Sequence, residues 1–256
     1  MAMSESEGAI DRTAFGATSR RDAWWIELIP VVLVLGGFTV YATWRTFENN
    51  YYEFGPYLSP FYSPLIKPRW WPLSPAILIL WAPLGFRATC YYYRKAYYRA
   101  FFLDPPACAV GESHPYRYSG ETRFPFILQN LHRYFLYVAI IFLVILWYDA
   151  ITAFWFPSAT GKHVGIGVGS LVLLANIVLL TGYALSCHSL RHIVGGNVDC
   201  FSCVVAGGPR HNAWRGISFL NEHHMLFAWL SLFSVGLADL YVRLVASGTI
   251  TDARLL

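Results

Sequence analysis

The segment ALSCHSLRHIVGGNVDCFSC, residues 184–203, places Cys187, His188, His192, Cys200 and Cys203 within twenty positions. His188 and His192 are four residues apart, so on a helix their imidazoles stack on one face. Cys200 and Cys203 form a C-x-x-C pair in the loop that follows, behind Gly195 and Gly196, which let that loop fold back toward the helix end. Two thiolates and two imidazoles complete a first shell for zinc. They are equally the ligand set of a Rieske-type 2Fe–2S cluster, in which two Cys hold one iron and two His the other. Cys187, about 100° around an ideal helix from His188, is an alternate thiol, and His132 and His224 are alternate imidazoles. A single intramembrane His is more often a hydrogen-bonded packing residue than a ligand, and a C-x-x-C alone in a loop is ambiguous. The pattern C-H-x3-H-x7-C-x2-C is what points to a metal or redox centre. So many ionisable groups at the edge of lipid are costly unless paired or metallated.

The elements that must position these residues are hydrophobic. The chain has 256 residues, of which 56% are hydrophobic and only 13% charged, where soluble domains carry about a quarter. Ten Trp and seventeen Tyr suit a protein whose aromatic side chains gather at the lipid–water boundary. Five segments meet the roughly 20 mostly apolar residues a spanning helix needs: about 24–46, 74–93, 126–148, 164–193 and 220–246. The expectation is an all-α membrane protein, a five-transmembrane-helix bundle over 24–246. A cytoplasmic segment, 1–23, precedes it and a short outer tail, 247–256, follows. Residues 1–22 are polar and show no cleavable signal pattern. Five crossings place eleven Lys and Arg, among them Arg12, Arg117 and Arg191, on the side of the N-terminus and four on the other. The positive-inside rule then makes the N-terminus cytoplasmic, in a multi-pass protein of the bacterial plasma membrane. All five cysteines and seven of the eight histidines, His114 included, fall on that side. Its reducing character argues against disulfides. The net charge of +4 gives no reason to expect nucleic acid.

Other polar residues sit where the helices should be. Gln129, Arg133 and Tyr134 supply more polar function than a helix start requires. With Trp214, Arg215 and Arg87 they could line a pocket for a quinone headgroup, against a plainer reading as interfacial anchors. Arg87 reads first as snorkelling to the surface, with a polar pocket as its alternative. Asp239 and Arg243 read as an intrahelical ion pair, Asp149 as solvated, and the stretch YLSPFYSPLIKPRWWPLSP as a folded cap over the outer end.

With CHSLRH, GGNVDCFSC, QNLHRY and NEHHM in view, the chain resembles the membrane anchor subunit of actinobacterial succinate dehydrogenase, over about 24–246. The resemblance implies a respiratory complex II passing electrons from succinate to a quinone, menaquinone or ubiquinone. Flavoprotein and iron–sulfur subunits would be the soluble partners, and the chain alone would not oxidise succinate. In this class the anchor is thought to hold an embedded Rieske-type cluster, for which Cys200, Cys203, His188 and His192 are the expected ligands. A haem-bearing anchor is the alternative. It would hold one haem b between two of His132, His188, His192 and His224 and leave the cysteines unexplained. A transporter with a structural zinc site is the reading from a different class. Membrane lipids are expected neighbours. The oligomeric state of the complex is left open.

Overall fold

The computed structural model describes residues 14–113, 122–124, 126–158, 161–196 and 198–255. Arg12, His114 and Arg117 lie outside them. The described chain forms α1 (Leu28–Glu48), a two-residue hairpin β1 (Glu53–Phe54) and β2 (Tyr57–Leu58), α2 (Pro75–Ala88), α3 (Tyr91–Tyr97), α4 (His132–Thr152), the hairpin β3 (Trp155–Ser158) and β4 (Gly161–Val164), α5 (Val168–Leu185), α6 (His188–Gly195), α7 (Gly207–Glu222) and α8 (His224–Ala246). A π-turn over Tyr98–Phe102 extends α3, and a 3-10 turn over Phe126–Leu131 leads into α4.

Among the described residues four helices are long and apolar enough to cross a membrane: Leu28–Glu48, Ile127–Thr152, Val168–Leu185 and His224–Ala246. Of the five spans expected from hydropathy, four are such helices, and the second contains the shorter apolar helix α2. At 14 residues α2 is about 21 Å long, less than the hydrocarbon thickness of roughly 30 Å. Its apolar run continues in sequence, but Cys90 takes an extended conformation (φ −63°, ψ 130°) and restarts the chain as α3. Cys187 (φ −63°, ψ 134°) separates α6 from α5 in the same way. His223 (φ −103°, ψ 14°) separates α8 from α7. A hydropathy window cannot see these single-residue breaks.

The chain divides into two compact units, one containing residues up to Tyr41 with Thr89–Gln129, the other Ala42–Ala88 with Asn130–Leu256. In the first, the 14–17 turn pairs with Gly111 through backbone hydrogen bonds from Gly16 (3.1 Å) and to Ala17 (2.9 Å). Arg20 bonds both Asp22 and the Cys108 carbonyl. In the second, α5 packs on α4 and α8, and α2 on α4. A Cβ on Gly85 would lie 2.2 Å from a Phe135 ring carbon, and one on Gly182 would lie 2.5 Å from the Phe227 ring. Glycine at these two positions is what lets the helices come that close.

One end of this second unit is closed by the α1–α2 connection, the β3–β4 hairpin and the C-terminal residues. Tyr57, Ala153, Phe156, Leu173, Ala238 and Val242 form its core. The Tyr57 hydroxyl donates to Asp252 at 2.7 Å, and Asp252 also accepts from Tyr241 (2.7 Å) and the Gly169 N–H (3.0 Å). The folded cap is thus present. Asp239, fully buried, accepts from Ser59 and from Arg243 Nε at 2.8 Å, and Arg243 also reaches Glu48 at 2.9 Å. The expected helical pair is half of a network that ties α8 to α1. Asp149 is not simply solvated: it is half-buried and accepts from Ser63.

Candidate redox and quinone site

The opposite end of the same unit collects the histidines. His132 is the first residue of α4 and His224 the first of α8, while Cys187 sits at the turn between α5 and α6. That turn is fixed by Ser186, whose carbonyl accepts from Asn221 Nδ2 at 2.7 Å and whose hydroxyl donates to the Tyr183 carbonyl at 3.0 Å. A serine has one hydroxyl proton. Ser186 Oγ also lies 2.7 Å from His224 Nδ1, so the ring is the donor of that contact when the hydroxyl proton is held by the Tyr183 carbonyl. His132 Nε2 lies 3.1 Å from Cys187 Sγ. Phe86 stacks on the His132 ring (centroids 4.9 Å) and Tyr183 on the His224 ring (5.2 Å). Arg87 enters this group rather than snorkelling, the second of its two sequence readings. Its guanidinium donates to Ser231 Oγ (3.0 Å) and the Ala228 carbonyl (3.4 Å) and lies 4.8 Å from the Tyr183 ring centroid.

Cys200 and Cys203 are joined as a disulfide, with Cα atoms 5.3 Å apart. This corrects the expectation of free thiols. Cys200 is extended (φ −137°, ψ 101°) and Phe201–Cys203 make one 3-10 turn, a local geometry that brings the two sulfurs together. His188 and His192 both lie on α6, but Arg133 Nη2 donates to His192 Nδ1 at 3.1 Å, which occupies one ring nitrogen. Among the described residues no three His, Cys, Asp or Glu side chains converge closely enough to hold a metal ion. As placed, the four expected ligands do not fit a two-Cys, two-His cluster, because both sulfurs are consumed by each other. The alternates divide differently: His132 meets Cys187, and His224 is oriented by Ser186.

The six residues expected around a quinone headgroup are distributed over the two units. Gln129, in the first, donates to the Tyr97 hydroxyl at 3.0 Å. In the second, Arg87 lies between α2 and α8, and Arg133 is engaged by His192. Tyr134 is 66% exposed. Trp214 packs on His211 (6.0 Å) beneath the Arg191 guanidinium (5.2 Å), and Arg215 is exposed. Of the five in the second unit, Arg87 is the one whose described contacts reach the group around His132 and His224. Ser231, Tyr183 and Ser186 were not foreseen. Their signal was weak: Ser231 and Ser234 lie three apart in the apolar first half of α8, and Ser186 follows α5 directly.

Comparisons with known proteins agree with the resemblance read from the motifs. No curated protein matches the chain. A chain of the Mycobacterium smegmatis Sdh1 complex in the apo form is similar to it at 44% identity, with 93% of this chain and 94% of that chain covered and a TM-score of 0.84. The family model for the actinobacterial succinate dehydrogenase subunit SdhC matches residues 26–248, so the chain belongs to that family and is a membrane subunit of succinate dehydrogenase.

Proposed function

We propose that this subunit binds quinone at its histidine end and delivers to it the electrons that its soluble partners take from succinate. The observation that carries the reading is Arg87, a half-buried cation at the end of α2 turned inward against Tyr183 and Ser231. An intramembrane ionisable residue is a functional-site hypothesis by default. The chemistry is balanced by its two halves: oxidation of succinate to fumarate releases two electrons and two protons, and a quinone takes up two of each to become a quinol. Arg87 would donate a hydrogen bond to a quinone carbonyl oxygen, stabilising the charge that oxygen gains as electrons arrive. The flanking rings of Phe86, Tyr183, His132 and His224 supply flat faces for a quinone ring.

The histidine end faces the cytoplasm in this reading, on the eleven-to-four count of basic residues, with α2 as a fifth, short crossing. That orientation brings it to the flavoprotein and iron–sulfur subunits. A Rieske-type cluster on Cys200, Cys203, His188 and His192 would require reduction of the Cys200–Cys203 bond and release of His192 from Arg133. A haem b would require two axial imidazoles from the same end. Neither group is needed for what Arg87 does.

The test uses the intact complex. Arg87→Gln should lower succinate-dependent quinone reduction by about 10- to 100-fold, the loss of one charge-assisted hydrogen bond worth roughly 1.5–3 kcal/mol. Succinate-dependent reduction of a water-soluble dye at the soluble subunits should be unchanged. Equal losses in both assays would refute a quinone role. Iron, zinc and haem analysis with electron paramagnetic resonance of the same preparation decides between the cluster, haem and metal-free forms.

A further inference from the structure

The first compact unit contains a groove of about 340 Å³ lined by apolar side chains, among them Trp24, Trp25, Ile29, Val32, Leu33 and Ala100. Its volume is at the lower end of ligand-sized pockets, roughly 300–1,000 Å³. It opens along the first turns of α1, a helix long and apolar enough to cross a membrane and without one buried residue. The π-turn that forms the other wall, Tyr98–Phe102, brings cations with it. Arg99 immediately precedes the groove-lining Ala100, and Lys95 lies four residues earlier. No Asp or Glu occurs between positions 54 and 103. Among the described residues neither Lys95 nor Arg99 has a carboxylate partner. Arg94 is braced over the Tyr91 ring at 4.8 Å. Tyr91, Phe101 and Phe102 are 68%, 47% and 57% exposed, as side chains at a lipid–water boundary are.

We propose that this groove and the Lys95–Arg99 strip together bind one anionic glycerophospholipid, an acyl chain lying in the groove and the phosphate between the two cations. The charge decides against a neutral apolar occupant. An isoprenoid tail would fill the groove and leave both cations in an acid-free segment without counter-charge. The exposed aromatics decide against a soluble protein partner, because they continue the apolar lining instead of forming a polar rim around the cations.

The test is native mass spectrometry of the purified complex, delipidated and then titrated with phosphatidylglycerol or with phosphatidylcholine of the same acyl chains. The wild-type complex should retain phosphatidylglycerol preferentially. Lys95→Gln with Arg99→Gln should weaken that retention by roughly fivefold per charge, about 25-fold together, and leave phosphatidylcholine unchanged. Leu33→Trp, at a position 67% exposed, should fill the groove and weaken both lipids. Equal retention of the two lipids by wild type, or no effect of the double substitution, overturns the proposal. Loss of the soluble subunits from the double variant in phospholipid-free detergent also overturns it and assigns the strip to protein docking.

Discussion

Asp239→Ala is the substitution that most directly tests how the cap end is held. Asp239 is fully buried and Arg243 is 3% exposed. The carboxylate accepts from Ser59 and from Arg243 Nε at 2.8 Å. Removing one member of a buried ion pair costs about 3–5 kcal/mol, because the other charge is left without compensation. Here Arg243 keeps Glu48 at 2.9 Å and the Asn50 carbonyl at 2.6 Å, so the loss should lie near 3 kcal/mol. For a chain of this size that corresponds to a fall in Tm of about 6–12 °C. Asp239→Asn keeps the shape and an acceptor for Ser59 but removes the charge, and should fall between wild type and Asp239→Ala. Melting of this subunit within the complex can be followed by a thiol-reactive fluorophore once the exposed Cys108 has been blocked, since Cys187 is 1% exposed and reacts only when the fold opens. If Asp239→Ala melts within about 2 °C of wild type, the network contributes no net stability. If Asp239→Asn loses as much as Asp239→Ala, charge alone and not acceptor geometry sets the cost.

Gly169→Ala would bring a Cβ within 2.5 Å of the Tyr57 ring and should cost about 1–3 kcal/mol as overpacking. Gly37→Ala on α1 meets nothing within 4 Å and should be neutral or stabilise by up to about 1 kcal/mol, so thermal melting of the pair separates crowding from backbone entropy. Burial, and secondarily the bond to Asp252, pushes the Tyr57 phenol up to about 12. The neutral phenol is the form the fold favours, so its contribution is full below the unfolded value of about 10 and is lost as pH rises from there through about 12. Tyr57→Phe should remove this alkaline component, measured by ultraviolet titration. Mass spectrometry after maleimide labelling of the native complex should show modification of Cys108, which is exposed, and not of Cys90 or Cys187, which are buried. A mild reductant should add Cys200 and Cys203.

The residue types of the site were legible in the sequence, and their partners were not. His132 and His224 were placed correctly at helix starts because a polar residue at the edge of an apolar run marks where the membrane interior begins. Asp239 and Arg243 were legible because four residues make one helical turn; Glu48, from a distant helix, was not, since no periodicity connects α1 with α8. The spacing His188–His192 fixed a shared helical face, yet a face has no target until the neighbouring helices are placed, and Arg133 supplies one. C-x-x-C is the sharpest limit. Its spacing is short enough for both sulfurs to reach one metal and short enough for them to reach each other, and sequence holds no term that chooses. Arg87 shows the same limit from the other side. A cation near a helix end can extend to water or turn inward, and Ser231, a single hydroxyl on a neighbouring helix, supplies part of the inward partnership. The chemistry of such a site is therefore written in residue types, while its connectivity depends on which helices the tight contacts at Gly85 and Gly182 allow to meet.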